Sequence, residues 1–224
     1  DQAGVVYTLA YGDQPSLIAE QVDWARAAGF EVVAAGKGTL YMPEFHYSTP
    51  DTVWDYYGLT AERAAASGMN AKMFNSFLDG TKSAIEMAAV ANACDLSVPG
   101  GGLAFPPCGT SKLASTLIPK SSGGVLDHKG QVEVVSSRAR DGQDIADDLR
   151  WGVYVTFEAP SDYVKRCFAD YGLLTDDSGQ YSAMWRPYHL IGLELGISVA
   201  WAGLMAGPAM WSRSLNAILK PAKR

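Results

Sequence analysis

The sequence is poor in cysteine. Its 224 residues include only three, Cys94, Cys108 and Cys167, and no two of them have the CxxC spacing of a metal knuckle or a redox pair. An odd number of widely spaced cysteines excludes a disulfide framework and a cysteine-based zinc site. The cysteine pattern therefore predicts a protein of a reducing compartment, which we take to be the cytoplasm.

An excess of positive charge is also missing. The formal net charge is -6 and the isoelectric point is near 5.0, whereas a general nucleic-acid binder needs a basic face to displace counterions. The most apolar late segment, Leu190 to Met205, is interrupted by Glu194 and three glycines and is short for a membrane span. The sequence contains no cationic region followed by an apolar one, which is the pattern of a signal peptide. We therefore expect neither nucleic acid nor a membrane as a partner.

The nucleotide-binding fingerprints are absent as well. No GxGxxG opens a helix, and the run PGGG at residues 99–102 is not followed by the GK[ST] of a phosphate loop. Hydrophobic residues nevertheless make up 48% of the chain and charged residues 19%. This composition and length are ample for a folded core.

The first forty residues have the pattern of a β-α-β unit. Val5–Tyr11 predicts a strand, the turn before Pro15 starts a helix that Gly29 ends, and Phe30–Ala35 predicts a second strand. Ligands bind at the carboxyl ends of such parallel strands. The predicted cofactor contacts at these ends are Tyr11, Gly12, Gly36 and Lys37. The alternative is two ordinary tight turns and a surface lysine.

The segment Met69–Cys94 carries the most promising polar groups. Numbered as a helix, Asn75, Asp79, Lys82 and Glu86 are spaced by four, three and four residues, which places them on one face. The opposite face is apolar and predicts a core contact through Leu78, Ile85, Ala88, Ala89 and Val90. The alternative is a solvated face with an ordinary Lys82–Glu86 pair.

The rest of the chain predicts a mixture of strands, helices and one long loop. His128–Ser137 and Arg150–Ala159 have strand patterns and are expected to pair as antiparallel neighbours, whereas Ser97–Pro119 is expected to be a loop. Further predicted elements are the helix Pro160–Tyr171, the extended Gln180–Tyr188 and the helix Leu190–Met205. The predicted fold class is α/β: the tail of a Rossmann-type parallel sheet (1–40), an α+β catalytic domain with a mixed sheet and packed helices (41–205), and a tail (206–224).

Several segments resemble a known enzyme family. VVAAGKGTLY is similar to the motif that closes the nucleotide domain of homoserine dehydrogenases. The longer runs GKGTLYMPEFHYSTPDTVW, MNAKMFNSFLDGTKSAIEMAAVANA, GGVLDHKGQVEVVSS, LRWGVYVTFEA and WRPYHLIGLELGISVA resemble homoserine dehydrogenase-like oxidoreductases, and within them the reductoisomerase-like (DRL) branch. Characterised members of that branch convert 1-deoxy-D-xylulose 5-phosphate to 2-C-methyl-D-erythritol 4-phosphate with NADPH, a step of isoprenoid precursor synthesis. The resemblance implies that the chain is a fragment, without the nucleotide domain before it and the SAF-like domain after it.

The chemistry of hydride transfer, together with the resemblance, indicates roles for particular residues. Hydride transfer from NADP (or NAD) to a carbonyl needs a cation or proton donor at the forming alkoxide, for which Lys37, Lys82 and Asp79 are the predicted catalytic residues. Asp79 and Glu86 are the candidate ligands of a Mg²⁺ or Mn²⁺ ion. Substrate or phosphate contacts are assigned to Lys72, Asn75, Ser76, Glu86, Arg186 and His189, with Lys129 as a further candidate.

The site hypothesis is therefore that Asn75, Asp79 and Lys82 face Lys37 across a cleft. The functional hypothesis is an NAD(P)H-dependent oxidoreductase that acts on a small hydroxy or keto substrate, for which the resemblance indicates a phosphorylated, reductoisomerase-type molecule. The expected assembly is a homo-oligomer, specifically a homodimer. One alternative is a homoserine dehydrogenase-like enzyme of a hydroxy acid without phosphate. The other is a truncated, non-catalytic remnant that binds a ligand or a partner.

Overall fold

A four-stranded mixed sheet forms the centre of the computed structural model, which describes residues 8–205. The strands are β1 (Glu31–Thr39), β2 (Gln131–Ser136), β3 (Val153–Glu158) and β4 (Tyr181–Arg186), in the order β2-β1-β3-β4. β1 pairs in parallel with β2 and antiparallel with β3, and β3 pairs antiparallel with β4. With eight α-helices among the described residues, this arrangement confirms the predicted α/β class with a mixed sheet.

The order of the strands corrects one expectation. β2 and β3 are not neighbours, because β1 lies between them. Seven consecutive residues of β1, from 32 to 38, are buried, so this strand is apolar enough on both faces to occupy the centre of the sheet. The first three residues of the predicted first strand, 5–7, lie outside the described residues, and its remaining part, Thr8–Tyr11, is not in a strand.

One face of the sheet is covered by α1 (Gln14–Ala27) and α5 (Thr81–Cys94). Asp13 caps the first helix through the amide of Gln14, and Pro15 stands in its first turn. The helices contribute Leu17, Ile18 and Val22 from α1 and Met87 and Val90 from α5. These pack on alternate residues of the strands, which include Val132, Val134, Val153 and Val155. α7 (Asp162–Asp170) completes this side with Phe168, whose ring lies 5.7 Å from that of Phe157.

The other face is covered by the long loop after α5. This loop contains the 3₁₀ turn Thr110–Lys112, the short helix α6 (Leu113–Thr116) and the 3₁₀ turn Lys120–Ser122. Its apolar residues pack on the sheet in a second core that includes Leu113, Leu117, Ile118, Leu126, Val33, Val135 and Tyr154. The loop predicted over Ser97–Pro119 is therefore an ordered cover of the sheet.

Between β1 and α5 the chain forms a small helical layer. It consists of the 3₁₀ turn Pro43–Tyr47 followed by α2 (Val53–Tyr57), α3 (Ala61–Ala66) and α4 (Ala71–Leu78). These elements enclose a core of their own, made of Met42, Phe45, Val53, Trp54, Ala64 and Leu78. After β4 the chain ends its described part with α8 (Leu195–Met205), which begins five residues later than predicted. None of the helices described between residues 8 and 205 is long and apolar enough to cross a membrane.

Met69–Cys94 is not one helix. α4 ends at Leu78 and α5 starts at Thr81, with Gly80 at φ +87° between them. The predicted core face is also wrong in part: Leu78 and Val90 are buried, but Ile85 is 66% exposed. The face that carries Glu86 turns inward instead, because this carboxylate pairs with Lys37 of the sheet.

Candidate active site

Lys37 is a buried cation near the carboxyl end of β1. Gly36, Lys37 and Gly38 belong to the strand rather than to a turn after it, and Lys37 is only 3% exposed. Its Nζ donates a hydrogen bond to Oε1 of Gln14, 3.0 Å away at the start of α1, and another to Oε2 of Glu86 on α5. Three elements therefore converge on one ammonium group.

Glu86 joins a second lysine to this group. Oε1 of Glu86 lies 2.7 Å from Nζ of Lys82, one turn earlier on α5, and the Lys82 ammonium lies 5.4 Å from the centre of the Phe77 ring. The Lys82 side chain is 28% exposed, against 4% for that of Lys37. One buried carboxylate thus holds two ammonium groups, one deep and one near the surface.

Burial controls the acidity of Lys37. Loss of solvation lowers its pKa, and the neighbouring Lys82 lowers it further, whereas Glu86 and Asp13 act in the opposite direction. The net effect is a pKa below the ordinary value for lysine. A lysine with a lowered pKa is suited to proton transfer at lower pH than an exposed one.

The two glycines beside Lys37 let the strands close tightly around it. A Cβ atom on Gly36 would lie 1.8 Å from the carbonyl oxygen of Glu133, and one on Gly38 would lie 1.9 Å from that of Leu149. Gly36 is therefore required by the packing of the sheet, which is a different role from the cofactor contact expected at a turn.

Lys37 and Arg186 lie in one row across the sheet. Lys37 is paired with Val153 of β3, and Val153 is paired with Arg186 of β4. Directly paired residues point to the same face, and two strand spacings separate the Cα atoms of the two cations by about 10 Å. The guanidinium of Arg186 is bound by both carboxylate oxygens of Glu194, at 2.8 and 2.9 Å.

Three further predicted residues, His189, Tyr11 and Gly12, make local contacts with other groups. Nδ1 of His189 lies 2.7 Å from the carbonyl oxygen of Trp151. The hydroxyl of Tyr11 donates to Glu20 at 2.8 Å, and burial together with this carboxylate raises the pKa of Tyr11 to about 12. Gly12 packs so closely on the segment after β4 that its Cβ would lie 2.7 Å from the carbonyl oxygen of Leu190.

The polar residues of α4 have a different position from the one expected. Nδ2 of Asn75 donates to Asp79 at 2.9 Å, and the other oxygen of Asp79 accepts the amide of Thr81 at 2.8 Å. Asp79 therefore joins α4 to α5. Ser76 donates to the carbonyl of Met73, and Lys72 is exposed. Of the three residues expected to face Lys37, only Lys82 reaches it, through Glu86.

Comparison with protein-family models identifies the family to which the chain belongs. Residues 12–195 match the model described as "Oxidoreductase DRL, catalytic domain". The chain belongs to this family. A search of curated proteins gives no match. The matched range includes both lysines, Glu86 and Arg186. Because the family is described as an oxidoreductase catalytic domain, the chain belongs to a family of enzymes.

The DRL domain does not gather the acidic ligands expected for a divalent cation. Asp79 is engaged at the helix junction, and both oxygens of Glu86 face lysines. Within residues 8–205 no group of three or more His, Cys, Asp and Glu side chains could hold a metal ion. The side chains in this arrangement do not fit a divalent ion at Asp79 and Glu86. A requirement of the enzyme for Mg²⁺ or Mn²⁺ stays a prediction.

Lys129 lies at the opposite end of the sheet. It pairs with Glu31 at 3.0 Å and with Glu158, and a shallow depression there is lined by these residues and Gln180. Although burial lowers the pKa of Lys129, the two carboxylates outweigh it and raise the pKa to about 12. Lys129 is thus separate from the Lys37 cluster, at the amino end of β1.

Gln14 is the site residue that sequence reasoning missed. It lies in the turn before Pro15 that starts the predicted helix, yet it is 2% exposed and binds both Lys37 and, at 3.4 Å, the carbonyl of Gly152. A polar residue directly after the loop of a β-α unit could have signalled this role, because such loops line the carboxyl edge of a sheet.

Proposed function

We propose that this DRL domain reduces a small carbonyl substrate with NAD(P)H, with Lys37 as the proton donor. The observation that carries the proposal is the buried Lys37–Glu86–Lys82 cluster at the carboxyl end of β1. NAD(P)H supplies the hydride when it is bound. The protein's part is to place and stabilise the oxygen on which negative charge develops.

The cluster can supply and recover one proton. The Lys37 ammonium gives its proton to the oxygen of the reduced carbonyl and is left as a neutral amine. Its lowered pKa favours this step. Lys82 is nearer the surface and shares Glu86 with Lys37, so it is the group through which a proton can return from solvent.

The proposed substrate carries an anionic group as well as a carbonyl. Arg186 and His189 are the groups for an anionic end, since arginine binds carboxylate or phosphate through several N–H donors. Arg186 shares a sheet face with Lys37, so one small molecule can present its carbonyl to the lysine and its anion to the arginine. A sugar phosphate such as 1-deoxy-D-xylulose 5-phosphate has both groups.

The homoserine dehydrogenase-like relationship, the homodimer and the fragment hypothesis stay proposals. So does the division at residue 40, although β1, assigned there to the nucleotide portion, is hydrogen-bonded to β2 and β3. The cofactor contacts proposed at Tyr11 and Gly12 would lie at the start of α1, beside Gln14 and Lys37. A hydroxy-acid dehydrogenase is the second candidate, because the Arg186 site would also accept a carboxylate.

Calorimetric titration of the chain tests these alternatives. The ligands are NADPH, 1-deoxy-D-xylulose 5-phosphate and homoserine, the sugar phosphate being tested with and without Mn²⁺. Binding of the sugar phosphate supports the reductoisomerase-type proposal, and binding of homoserine alone supports the dehydrogenase. Lys37→Met should weaken substrate binding, whereas Lys120→Met, at an exposed ion pair, should not. Binding of neither substrate would exclude both enzyme proposals for this chain.

A further inference from the structure

Phe105, in the loop after α5, has a backbone conformation that side chains rarely adopt. Its φ is +49°, in the left-handed region, and its side chain is only 3% exposed. Such strain persists only where the surroundings hold it, and it is frequent at functional sites. Asp95, the other described non-glycine residue with positive φ, has an ordinary explanation as the end of α5.

Two charged side chains bind the backbone of Ala104 and Phe105, one through the amides and the other through the carbonyl groups. Glu133 of β2 accepts the amide of Ala104 at 3.1 Å and that of Phe105 at 3.4 Å. Arg140 donates to the carbonyl oxygens of the same two residues, at 3.1 and 2.8 Å. Glu133 is 2% exposed, so the carboxylate is used inside the protein to fix this loop.

The ring of Phe105 reaches the junction between α4 and α5. It stacks on Tyr41, with ring centres 4.1 Å apart and an interplanar angle of 17°. Its Cζ atom lies 3.6 Å from the position that a Cβ atom on Gly80 would occupy. His46 contacts the same junction, because its Nδ1 lies 2.8 Å from the carbonyl oxygen of Asp79.

The junction sets the position of α5, the helix that carries two residues of the candidate site. Gly80 has φ +87° and is the residue before α5, which carries Lys82 two positions later and Glu86 six positions later. A rotation at Gly80 would therefore move the shared carboxylate away from Lys37. A path from the loop 104–105 to Lys37 therefore runs through Phe105, Gly80 and the first turns of α5, at a junction that His46 and Asp79 also hold.

We propose that Phe105 is a positioning residue, clamped by Glu133 and Arg140, that fixes the α4–α5 junction and thereby holds Lys82 and Glu86 at Lys37. The inference rests on the proposed function only in treating that cluster as an active site. The role proposed for Phe105 is to act through the junction rather than on the substrate. Its role is to stop the first turn of α5 from opening.

Hydrogen–deuterium exchange of the junction tests this role without any need for turnover. Phe105→Gly removes the ring but keeps a residue at ease with positive φ, and Arg140→Ala removes the clamp but keeps the ring. Both should raise amide exchange in residues 81–84. For Phe105→Gly the rise should be on the order of tenfold, the effect of losing one buried aromatic contact. Arg140→Lys can still donate to both carbonyls and should restore most of the protection.

The matched control is Arg138→Ala, two residues earlier, which removes only the exposed ion pair with Asp144. It should leave exchange in residues 81–84 unchanged. Faster exchange in the loop around 104–105 with unchanged exchange in residues 81–84, in both Phe105→Gly and Arg140→Ala, would overturn the inference. If the exchange result holds but no substrate is turned over by the wild-type chain, the proposed function fails and the positioning role stands.

Discussion

Lys37 of β1 and Glu86 of α5 form an ion pair with side chains only 4% and 8% exposed. Two charges removed from water are stable only when they are paired and hydrogen-bonded. Gln14 supplies one further hydrogen bond to the lysine, and Lys82 supplies a second cation to the carboxylate. The pair connects the sheet to the helix that covers it, so stability and the proposed chemistry depend on the same groups.

Glu86→Gln should destabilise the fold strongly. The substitution leaves the Lys37 ammonium buried without its counter-charge, and breaking one side of a buried pair costs about 3 kcal/mol or more. Urea unfolding measures the change. The matched control is Asp127→Asn, whose partner Lys120 is 66% exposed, and for which the loss should be much smaller because solvent screens an exposed pair. Equal losses in the two variants would contradict the importance of burial.

Lys37 should make stability depend on alkaline pH. Its pKa in the folded protein is below the ordinary 10.5, so between the folded and the unfolded pKa the unfolded chain binds more protons. Stability contributed by this group therefore rises with pH across that window. Tyr11 acts in the opposite direction above its ordinary pKa of 10.0, because its folded pKa is raised to about 12.

The measurement is the free energy of unfolding of wild type and Lys37→Met from neutral pH to just below the tyrosine range. The wild type should gain stability relative to the variant as pH rises. A constant difference between the two proteins would show that the pKa of Lys37 is not lowered by burial.

Gly38→Ala should disrupt the sheet at the candidate site. The new Cβ atom would lie 1.9 Å from the carbonyl oxygen of Leu149 and 3.0 Å from the amide nitrogen of Arg150, so the backbone must move. We expect a loss of about 3 kcal/mol, at the upper end of the usual range for overpacking. Gly100→Ala is the control, because a Cβ there meets nothing within 4 Å. Thermal melting of both variants decides the question.

The class of the fold was predictable because it depends on local patterns. β1, β2, β3 and α1 all lie within or close to the segments that alternation, apolar runs and capping residues indicated. The strand order was not predictable, because it depends on which strand is apolar on both faces and can accept two partners. β1 meets this condition through Gly36 and Gly38, whose role is visible only when the neighbouring carbonyls are placed.

The candidate site was predictable as a set of residue types rather than as an arrangement. The helical spacing of Lys82 and Glu86 is observed, but Gly80 breaks the helix before them and removes Asn75 and Asp79 from the same face. The burial of Glu86 could not be deduced from α5 alone. It depends on Lys37, 49 residues away in sequence, and a long-range pairing of this kind leaves no periodic signal.

Arg186→Gln should weaken binding of an anionic substrate with little effect on the proton transfer at Lys37. Hydrogen bonds to charged groups contribute about 1.5–3 kcal/mol, so KM for a phosphorylated or carboxylated substrate should rise roughly tenfold to a hundredfold, with kcat nearly unchanged. The control is Arg150→Gln. Arg150 is a different arginine, whose guanidinium lies 4.9 Å from the centre of the Trp151 ring. Consumption of NAD(P)H at varied substrate concentration gives both constants. A fall in kcat at constant KM would instead place Arg186 among the groups that act on the reacting carbonyl, and would remove the argument for an anion site at the end of β4.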